Sequence, residues 1–341
     1  MKLAIIGHKG YIGSVLHKQA IKKNYYVLGI DSNLFYNAYI GNPLEIHKEY
    51  TLDIRDIRKE HLKDIDVVVH LANLSNDPLC NLNPELTYEI NYNATIELAK
   101  TAKKAGVRKF VFASSSSVYG QSEKIFINED YKTDPLSSYG EAKTMVEKDL
   151  KTLSSNTFYT YSLRFATAYG WSDCMRFDLL INNLVALALS EKKLIIKGSP
   201  KFRRPFVHIE DIARSILAIV ELKSNQLNTS NIFNVGRNED NYTIHDLVQI
   251  IIEESHYARE VTYEPSGVDK RSYWIDSNKL HSTIGDNIMT WDVRSGIIDL
   301  FRKYKQHNVT DNMFKSIQFN RMEQLKYLLD IGLVDSSLRK V

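Results

Sequence analysis

Residues 3–13 read Leu3-Ala4-Ile5-Ile6-Gly7-His8-Lys9-Gly10-Tyr11-Ile12-Gly13, an apolar run followed by three evenly spaced glycines. The run predicts a buried strand, and Ile12, Leu16 and Ala20 then repeat at the four-residue spacing of one helical face. A G-x-x-G-x-x-G turn between a strand and a helix is a spacing variant of the turn that binds dinucleotides. Its glycines permit the tight turn, bring backbone N–H groups close to a pyrophosphate and let helix and strand pack closely. The helix N-terminus adds about half a positive charge where the phosphates would lie.

The second apolar run, residues 26–30, ends at Asp31, which lies 18 residues beyond Gly13. A carboxylate at this place can accept hydrogen bonds from both hydroxyls of an adenosine ribose. It would also repel a 2′-phosphate, so NAD is expected as the cofactor in preference to NADP. The alternative is that Asp31 only caps the turn that follows the strand.

The rest of the first half alternates apolar runs with helical patterns. Runs at 66–70, 109–113 and 158–165 predict further buried strands, which favours a parallel sheet covered by helices on both faces. The expected fold is therefore α/β: a doubly wound parallel sheet (Rossmann) with a smaller C-terminal substrate-binding α/β lobe. We place a dinucleotide-binding domain at 1–170 and a second domain at 171–341, some segments of which return to the first. A helix is expected near 314–330, packed on its own chain or on a neighbouring subunit.

Composition narrows the classes of function. The chain has 341 residues with 44 basic and 41 acidic side chains, so no nucleic-acid partner is expected. The two cysteines, Cys80 and Cys174, lack metal or disulfide spacing, and no metal is expected. Apolar runs are too short for a signal peptide or a membrane span, so we expect a cytoplasmic protein without a membrane partner.

Tyr139 and Lys143 are four residues apart and would share one face of a helix. A nearby ammonium lowers the pKa of a phenol, which would allow the tyrosine to take a proton while a hydride leaves the same carbon. The run Ala113-Ser114-Ser115-Ser116-Ser117-Val118-Tyr119-Gly120 follows a predicted strand, at the edge where open α/β sheets bind ligands. An ordinary serine-rich turn and a surface lysine are the alternative interpretations.

Together these residues resemble the extended short-chain dehydrogenase/reductase superfamily and, more narrowly, the NAD-dependent nucleotide-sugar epimerase/dehydratase family. The resemblance runs from Met1 to about Lys305. Its further marks are Asp53-Ile54, His70-Leu71-Ala72-Asn73, Asn91, Leu163-Arg164-Phe165, Arg204-Pro205-Phe206-Val207-His208-Ile209-Glu210-Asp211 and Phe233-Asn234-Val235-Gly236.

The resemblance implies that the domain at 171–341 is a nucleotide-sugar-binding domain, and it also implies roles for individual residues. Ser115, Tyr139 and Lys143 are expected to be catalytic. The expected cofactor-binding residues are Gly7, Gly10, Tyr11, Ile12, Gly13, Asp31, Asp53, Ile54, Leu71, Ala72, Asn73, Asn91, Ser114, Tyr139, Lys143 and Phe165. The expected substrate-binding residues are Asn76, Ser116, Ser117, Thr167, Arg204 and Arg271, with Arg204 on the diphosphate of the sugar nucleotide.

Departures from the family pattern make some of the family's reactions less expected for this chain. Dehydratases of the family carry Asp-Glu where this chain has Ser116 and Ser117, so a 4,6-dehydratase is disfavoured. Ser117 also stands where a cysteine accompanies C3/C5 epimerisation. Thr167 replaces an asparagine common near the sugar phosphate, and Arg271 is expected to substitute for a second phosphate-binding arginine.

The resemblance implies an NAD-dependent oxidoreductase acting at C4 of a nucleotide-activated hexose or heptose through a 4-keto species. It would be a 4-dehydrogenase or a 4-epimerase in surface polysaccharide synthesis. A 4-ketoreductase and a non-catalytic NAD-sensing protein are the alternatives. A GDP-linked substrate is slightly favoured over UDP- or dTDP-linked ones. A homodimer or tetramer is expected through helices near 85–104 and 139–153.

Overall fold

A parallel sheet at the centre of the computed structural model organises the first half of the chain. The structure describes residues 1–40, 45–75, 80, 83–190, 193–223, 228–255, 260–264 and 271–341. Within these ranges the sheet has seven strands in the order β11-β7-β5-β4-β1-β2-β3. They are β1 (Lys2–Ile6), β2 (Tyr26–Asp31), β3 (Lys48–Thr51), β4 (Val67–His70), β5 (Lys109–Ser115), β7 (Tyr159–Phe165) and β11 (Ser230–Val235). The prediction of a doubly wound parallel sheet is confirmed.

Helices cover both faces of this sheet because successive side chains of a strand point to opposite faces. On β1, Leu3 and Ile5 join one apolar cluster, whereas Ala4 and Ile6 join another. The first cluster includes residues of α1 (Tyr11–Lys22) and α6 (Ile209–Glu221), and the second includes residues of α3 (Ala94–Lys104) and α4 (Ser138–Leu153).

The second lobe lies against the carboxyl ends of these strands. It contains β8 (Thr167–Tyr169), β9 (Lys193–Lys197), β10 (Arg203–His208), β12 (Asn241–Thr243) and β13 (Glu260–Glu264). Its helices are α5 (Leu180–Ser190), α7 (Ile244–Ser255) and α9 (Val293–Gln306), which share one apolar cluster. A ribbon of β6 (Gln121–Ile127) with β14 (Ser272–Ile275), followed by α8 (Asn278–Ile284), joins the two parts. Meanwhile β11 and α6 come from the second half of the chain but pack with the large sheet. The boundary near residue 170 stays a prediction.

Two helical segments differ from the sequence expectation. The helix before residue 106 consists of α2 (Pro84–Thr87) and α3, joined by a π-helical turn over Tyr88–Asn93. The tail forms α10 (Asp311–Phe314) and α11 (Arg321–Asp330) instead of one helix. Ser316 and Asn320 cause this break, because their side chains accept hydrogen bonds from backbone N–H groups that follow them. Among the described residues, no helix is both long and apolar enough to span a bilayer.

Candidate active site

A cavity of about 780 Å³ lies along the carboxyl edge of the large sheet. From β1 the chain adds β2 and β3 on one side of the sheet and then β4, β5 and β7 on the other side. Open parallel sheets bind ligands at the carboxyl edge beside such a reversal. The predicted site residues that line the cavity are Gly7, Gly10, Tyr11, Ile12, Gly13, Asp31, Asp53, Ile54, Leu71, Ala72, Asn73, Ser114, Ser115, Ser116, Tyr139, Lys143, Phe165, Thr167, Arg204 and Arg271. The fold therefore brings together side chains that the sequence separates by more than 260 residues.

Three predicted residues are not among the described residues that line the cavity. Asn91 is buried and does not line the cavity, because its side-chain amide pairs with both the N–H and the C=O of Leu74. Ser117 is also buried away from the cavity, within the turn that follows β5. Asn76 lies outside the described residues. Asn91 consequently orients the loop after β4, and direct ligand contacts for these three residues stay predictions.

The glycine turn after β1 leaves no room for larger side chains. Gly7 has a φ of +91°, a conformation that favours glycine. A Cβ atom on Gly13 would lie 2.1 Å from the carbonyl oxygen of Gly7, and one on Gly7 would lie 2.8 Å from the backbone nitrogen of Ala72. The N-terminus of α1 therefore approaches the cavity with its backbone exposed, as binding of a pyrophosphate requires.

Two carboxylates mark the side of the cavity expected to bind adenosine. Asp31 accepts hydrogen bonds from the backbone N–H groups of Lys9 and Asn33, so it caps the turn and also lines the cavity. Asp53 is half-buried and bound by the guanidinium of Arg55, with the shortest N–O distance at 2.7 Å. Although burial opposes ionisation, these hydrogen bonds hold the pKa of Asp53 below its usual value. Asp31 and Asp53 therefore both line the cavity as carboxylates that hydrogen bonds hold in a fixed orientation.

The predicted acid/base pair lies in the first two turns of α4. The Ser137 side chain caps this helix by accepting from the N–H of Gly140. Lys143 is buried, and its Nζ donates to the carbonyl oxygen of Ala113 at 2.6 Å and to Oδ1 of Asn73. The same Nζ lies 5.4 Å from the ring centre of Tyr139. Burial lowers the pKa of Lys143 to about 7.

The serine run forms the adjoining wall. Ser115 ends β5, and its Oγ accepts from the N–H of Ser117 at 3.2 Å. The hydroxyl of Ser116 is 3.2 Å from that of Tyr273, and the hydroxyl of Ser114 donates to the buried Glu147. Ser114, Ser115 and Ser116 therefore all line the cavity, and the catalytic role of Ser115 stays a prediction.

The basic end of the cavity belongs to the second lobe. The side chain of Arg204 donates to the carbonyl oxygens of Arg203 and Arg271, which holds the two predicted phosphate-binding arginines together. Phe202 and Ser199 line the same end. Forked guanidinium groups at this place suit a diphosphate.

Sequence reasoning missed Arg176, Asp178 and two residues near the C-terminus, Arg321 and Leu338, all of which line the cavity. Arg176 forms an ion pair with Asp178 at 2.8 Å and donates to the hydroxyl of Ser75. The arginine belongs to the segment after β8, which contains none of the motifs that mark the family in the sequence. A signal was available in the tail, where Arg321 lies among the apolar residues Phe319, Met322 and Leu325 of the predicted helix.

Charge in the described lining favours anionic ligands. Six basic residues line the cavity, Lys9, Lys143, Arg176, Arg204, Arg271 and Arg321, against three acidic ones, Asp31, Asp53 and Asp178. A dinucleotide and a sugar nucleotide each bring a pyrophosphate, so the excess of positive charge fits two such ligands in one cavity.

Comparison with known proteins agrees with this geometry. The model of the NAD-dependent epimerase/dehydratase family matches residues 3–236. The chain belongs to this family. It is an NAD-dependent enzyme. The glycine turn, Asp31 and the part of the cavity beside the N-terminus of α1 fit that cofactor.

Relatives resemble the chain along most of its length. A UDP-glucose 4-epimerase of Lactobacillus helveticus is 30% identical over 90% of this chain and 98% of its own length. A putative UDP-glucose 4-epimerase of Methanocaldococcus jannaschii is 27% identical over 90% of this chain and 100% of its own. The solved structure of a UDP-glucuronic acid 4-epimerase from Bacillus cereus, in complex with UDP-glucuronic acid and NAD, is 26% identical. It has a TM-score of 0.77 and covers 90% of this chain and 99% of its own.

Proposed function

We propose that this family member is a nucleotide-sugar 4-epimerase that works through a 4-keto sugar. The observation that carries the proposal is the convergence on one cavity of Ser115, Tyr139 and Lys143 from the sheet side and of Arg204 and Arg271 from the second lobe. The first group suits proton transfer at a sugar hydroxyl, and the second suits the diphosphate of the same substrate.

Tyr139 would take the proton of the C4 hydroxyl and later return it. Ser115 would donate a hydrogen bond to the same sugar oxygen as it becomes a ketone. Lys143, held by Asn73 and the carbonyl oxygen of Ala113, would keep positive charge beside the phenol. When bound, NAD supplies the oxidant that receives a hydride from C4 and gives it back. Reduction of the 4-keto sugar on its opposite face would invert C4.

The acidic residues of the cavity argue against elimination of water. Asp31, Asp53 and Asp178 are the carboxylates among the described lining residues, and each accepts hydrogen bonds from the protein. Ser116 and Ser117 occupy the positions where dehydratases carry an acid and a base. This lining therefore supports oxidation and reduction at C4 without elimination.

A UDP-linked sugar is the substrate class that we propose. The support is the set of relatives, which act on UDP-glucose or UDP-glucuronic acid according to their names. No particular residue supported the slight preference for a GDP-linked sugar in the sequence analysis. A role in surface polysaccharide synthesis stays a prediction from the resemblance.

The test is a panel of UDP-glucose, UDP-glucuronic acid, UDP-N-acetylglucosamine and GDP-mannose, followed by NMR at C4 and absorbance of NADH. We expect inversion at C4 of at least one UDP-sugar without stoichiometric NADH. The variant Tyr139→Phe should lose about 10²–10⁴-fold in rate, the usual contribution of a general acid or base. Tyr327→Phe, at an exposed tyrosine, is the matched control.

Other outcomes would contradict the proposal in distinct ways. Net NADH with release of a keto sugar would indicate a 4-dehydrogenase, and NADH-dependent consumption of a keto sugar would indicate a 4-ketoreductase. Binding of NAD with no turnover of any sugar, in a protein that is unaffected by Tyr139→Phe, would indicate an NAD sensor.

A further inference from the structure

The end of the chain packs beside the cavity. We call residues 317–341 the C-terminal arm; it comprises a short turn, α11 and the ten residues or so that follow. Its buried residues Leu325, Leu328, Val334 and Leu338 form one apolar cluster with Leu74, Cys80, Leu86 and Ile90, from the loop after β4 and the helical segment beyond it. Partly buried Leu34, Phe35, Ile54 and Tyr139 pack against the same cluster. The arm thus contacts the elements that carry the cofactor-side residues of the site.

Two arginines attach the arm beside Asp53 and Ile54, which are among the predicted cofactor-binding residues. Arg55, which binds Asp53, also donates to the carbonyl oxygen of Ser337 at 2.9 Å. From the arm, Arg339 forms an ion pair with Asp56 at 2.6 Å. These links are on either side of Leu338 in the sequence, so they fix this residue against the turn that contains Asp53 and Ile54.

Leu338 itself has an unusual backbone. Its φ is +60°, which is unfavourable for a residue with a γ-branched side chain, and yet its side chain is buried and lines the cavity. Strain of this kind persists where the surrounding structure over-determines it and often accompanies ligand clamps. We infer that burial of the leucine side chain beside the cavity stabilises this unfavourable backbone conformation.

Arg321 brings a charge to the same wall. It is buried, its guanidinium lies 4.4 Å from the ring centre of Phe35, and it donates to the thiol of Cys174 and the amide oxygen of Gln324. These two side-chain partners are neutral. The nearby carboxylate of Asp178 accepts from the backbone N–H of Arg321 and is ion-paired with Arg176. A buried guanidinium gains from an anionic ligand in the cavity that it lines.

We propose that the C-terminal arm is part of the dinucleotide site, with Leu338 closing its adenosine end and Arg321 adding positive charge. NAD then leaves only when the arm separates from the turn after β3. The inference concerns retention of NAD alone, so it does not depend on which sugar the enzyme uses.

The test measures dissociation of the fluorescent analogue etheno-NAD during a chase with unlabelled NAD. We expect Leu338→Gly to release it faster by about tenfold or more, the factor for loss of one large apolar contact. Arg339→Ala should release it faster by about two- to fivefold, the factor for loss of a partly exposed ion pair. Leu333→Ala is the matched control, because Leu333 belongs to the same arm but is 54% exposed.

A second readout keeps the test independent of folding defects. Leu338→Gly removes the backbone strain together with the side chain, and Arg339→Ala alters a surface pair; circular dichroism verifies the fold of both. In the unaltered protein, saturating NAD should slow hydrogen exchange at the amides of residues 335–341. Dissociation rates within twofold of the unaltered protein in both folded variants, or arm amides that do not respond to NAD, would overturn the proposal.

Discussion

Lys143 combines two properties that oppose each other. Its role beside Tyr139 requires a positive charge, whereas its burial between Asn73, Ala113 and Phe112 disfavours that charge. Burial consequently lowers the pKa of Lys143 to about 7 from an ordinary value of 10.5. The neighbouring His70 is also buried, and its burial, together with the charge of Lys143, lowers the pKa of His70 to about 3. A shift of this kind in a cavity is typical of a functional group.

This shift predicts a dependence of stability on pH. Between about pH 7 and 10.5 the unfolded chain binds a proton at Lys143 that the NAD-free folded protein does not, so the free energy of unfolding rises with pH in that window. The unaltered protein should therefore gain stability relative to Lys143→Met between pH 7 and 10, by about 1.4 kcal/mol for each unit of difference in pKa. Urea unfolding at several pH values measures the difference.

Lys100→Met supplies the control for that series, because Lys100 lies on the surface of α3 in an ion pair with Glu97. A difference between the unaltered protein and Lys143→Met that stays constant from pH 7 to 10 would show that burial does not perturb the lysine.

At the scale of elements, a buried ion pair positions α4 on the sheet. Glu147, one turn after Lys143, binds the guanidinium of Arg164 on β7 at 2.7 Å and accepts from Ser114 on β5. Arg164 also donates to the hydroxyl of Tyr119. The pair therefore connects the helix that carries Tyr139 to the two strands that end at the cavity.

We expect Glu147→Gln to destabilise the protein by about 3–5 kcal/mol, because a buried guanidinium then loses its charged partner. Combining Glu147→Leu with Arg164→Met should cost less than Glu147→Leu alone, since the second change removes the uncompensated charge. Denaturant unfolding checks both statements. Glu141→Gln, at an exposed position on the same helix, is the control. Equal effects of Glu147→Gln and Glu141→Gln on the free energy of unfolding would contradict a stabilising role for the buried pair of Glu147 and Arg164.

At the scale of the whole molecule, the helix of the glycine turn joins the two lobes. The hydroxyl of Tyr11 donates to the carbonyl oxygen of Gly170 and accepts from the amide of Asn182. The hydroxyls of Ser14 and Ser172 are 2.7 Å apart. These buried contacts fix the second lobe over the N-terminus of α1, so both ligands meet in one cavity.

The outer faces of α3 and α4 are where we expect a second copy of the chain to bind. Met145, on α4, is 38% exposed, whereas Ile298 on α9 is 47% exposed on a different part of the surface. Light scattering should give at least a dimer, and Met145→Asp should shift it towards the monomer whereas Ile298→Asp should not. A strict monomer for the unaltered protein would reject this prediction.

Local sequence was sufficient for the large sheet and for the glycine turn. Buried parallel strands read as continuous apolar runs, and the turn at Gly7 and Gly13 has steric requirements that only glycine meets. The paired spacing of Tyr139 and Lys143 likewise follows from helical geometry alone. The family pattern that these residues form therefore indicated the fold and NAD before any tertiary contact was known.

Tertiary structure alone decided which distant residues share the cavity. Arg176 and Leu338 lie in no ligand-binding motif of the sequence, because their positions in the cavity wall depend on how the second lobe and the C-terminal arm pack against the sheet. Conversely, packing directs the amide of Asn91 to Leu74 and away from the cavity. A pattern in sequence reports the local backbone and the buried face, whereas the cavity wall is a product of long-range packing, which has no local signature.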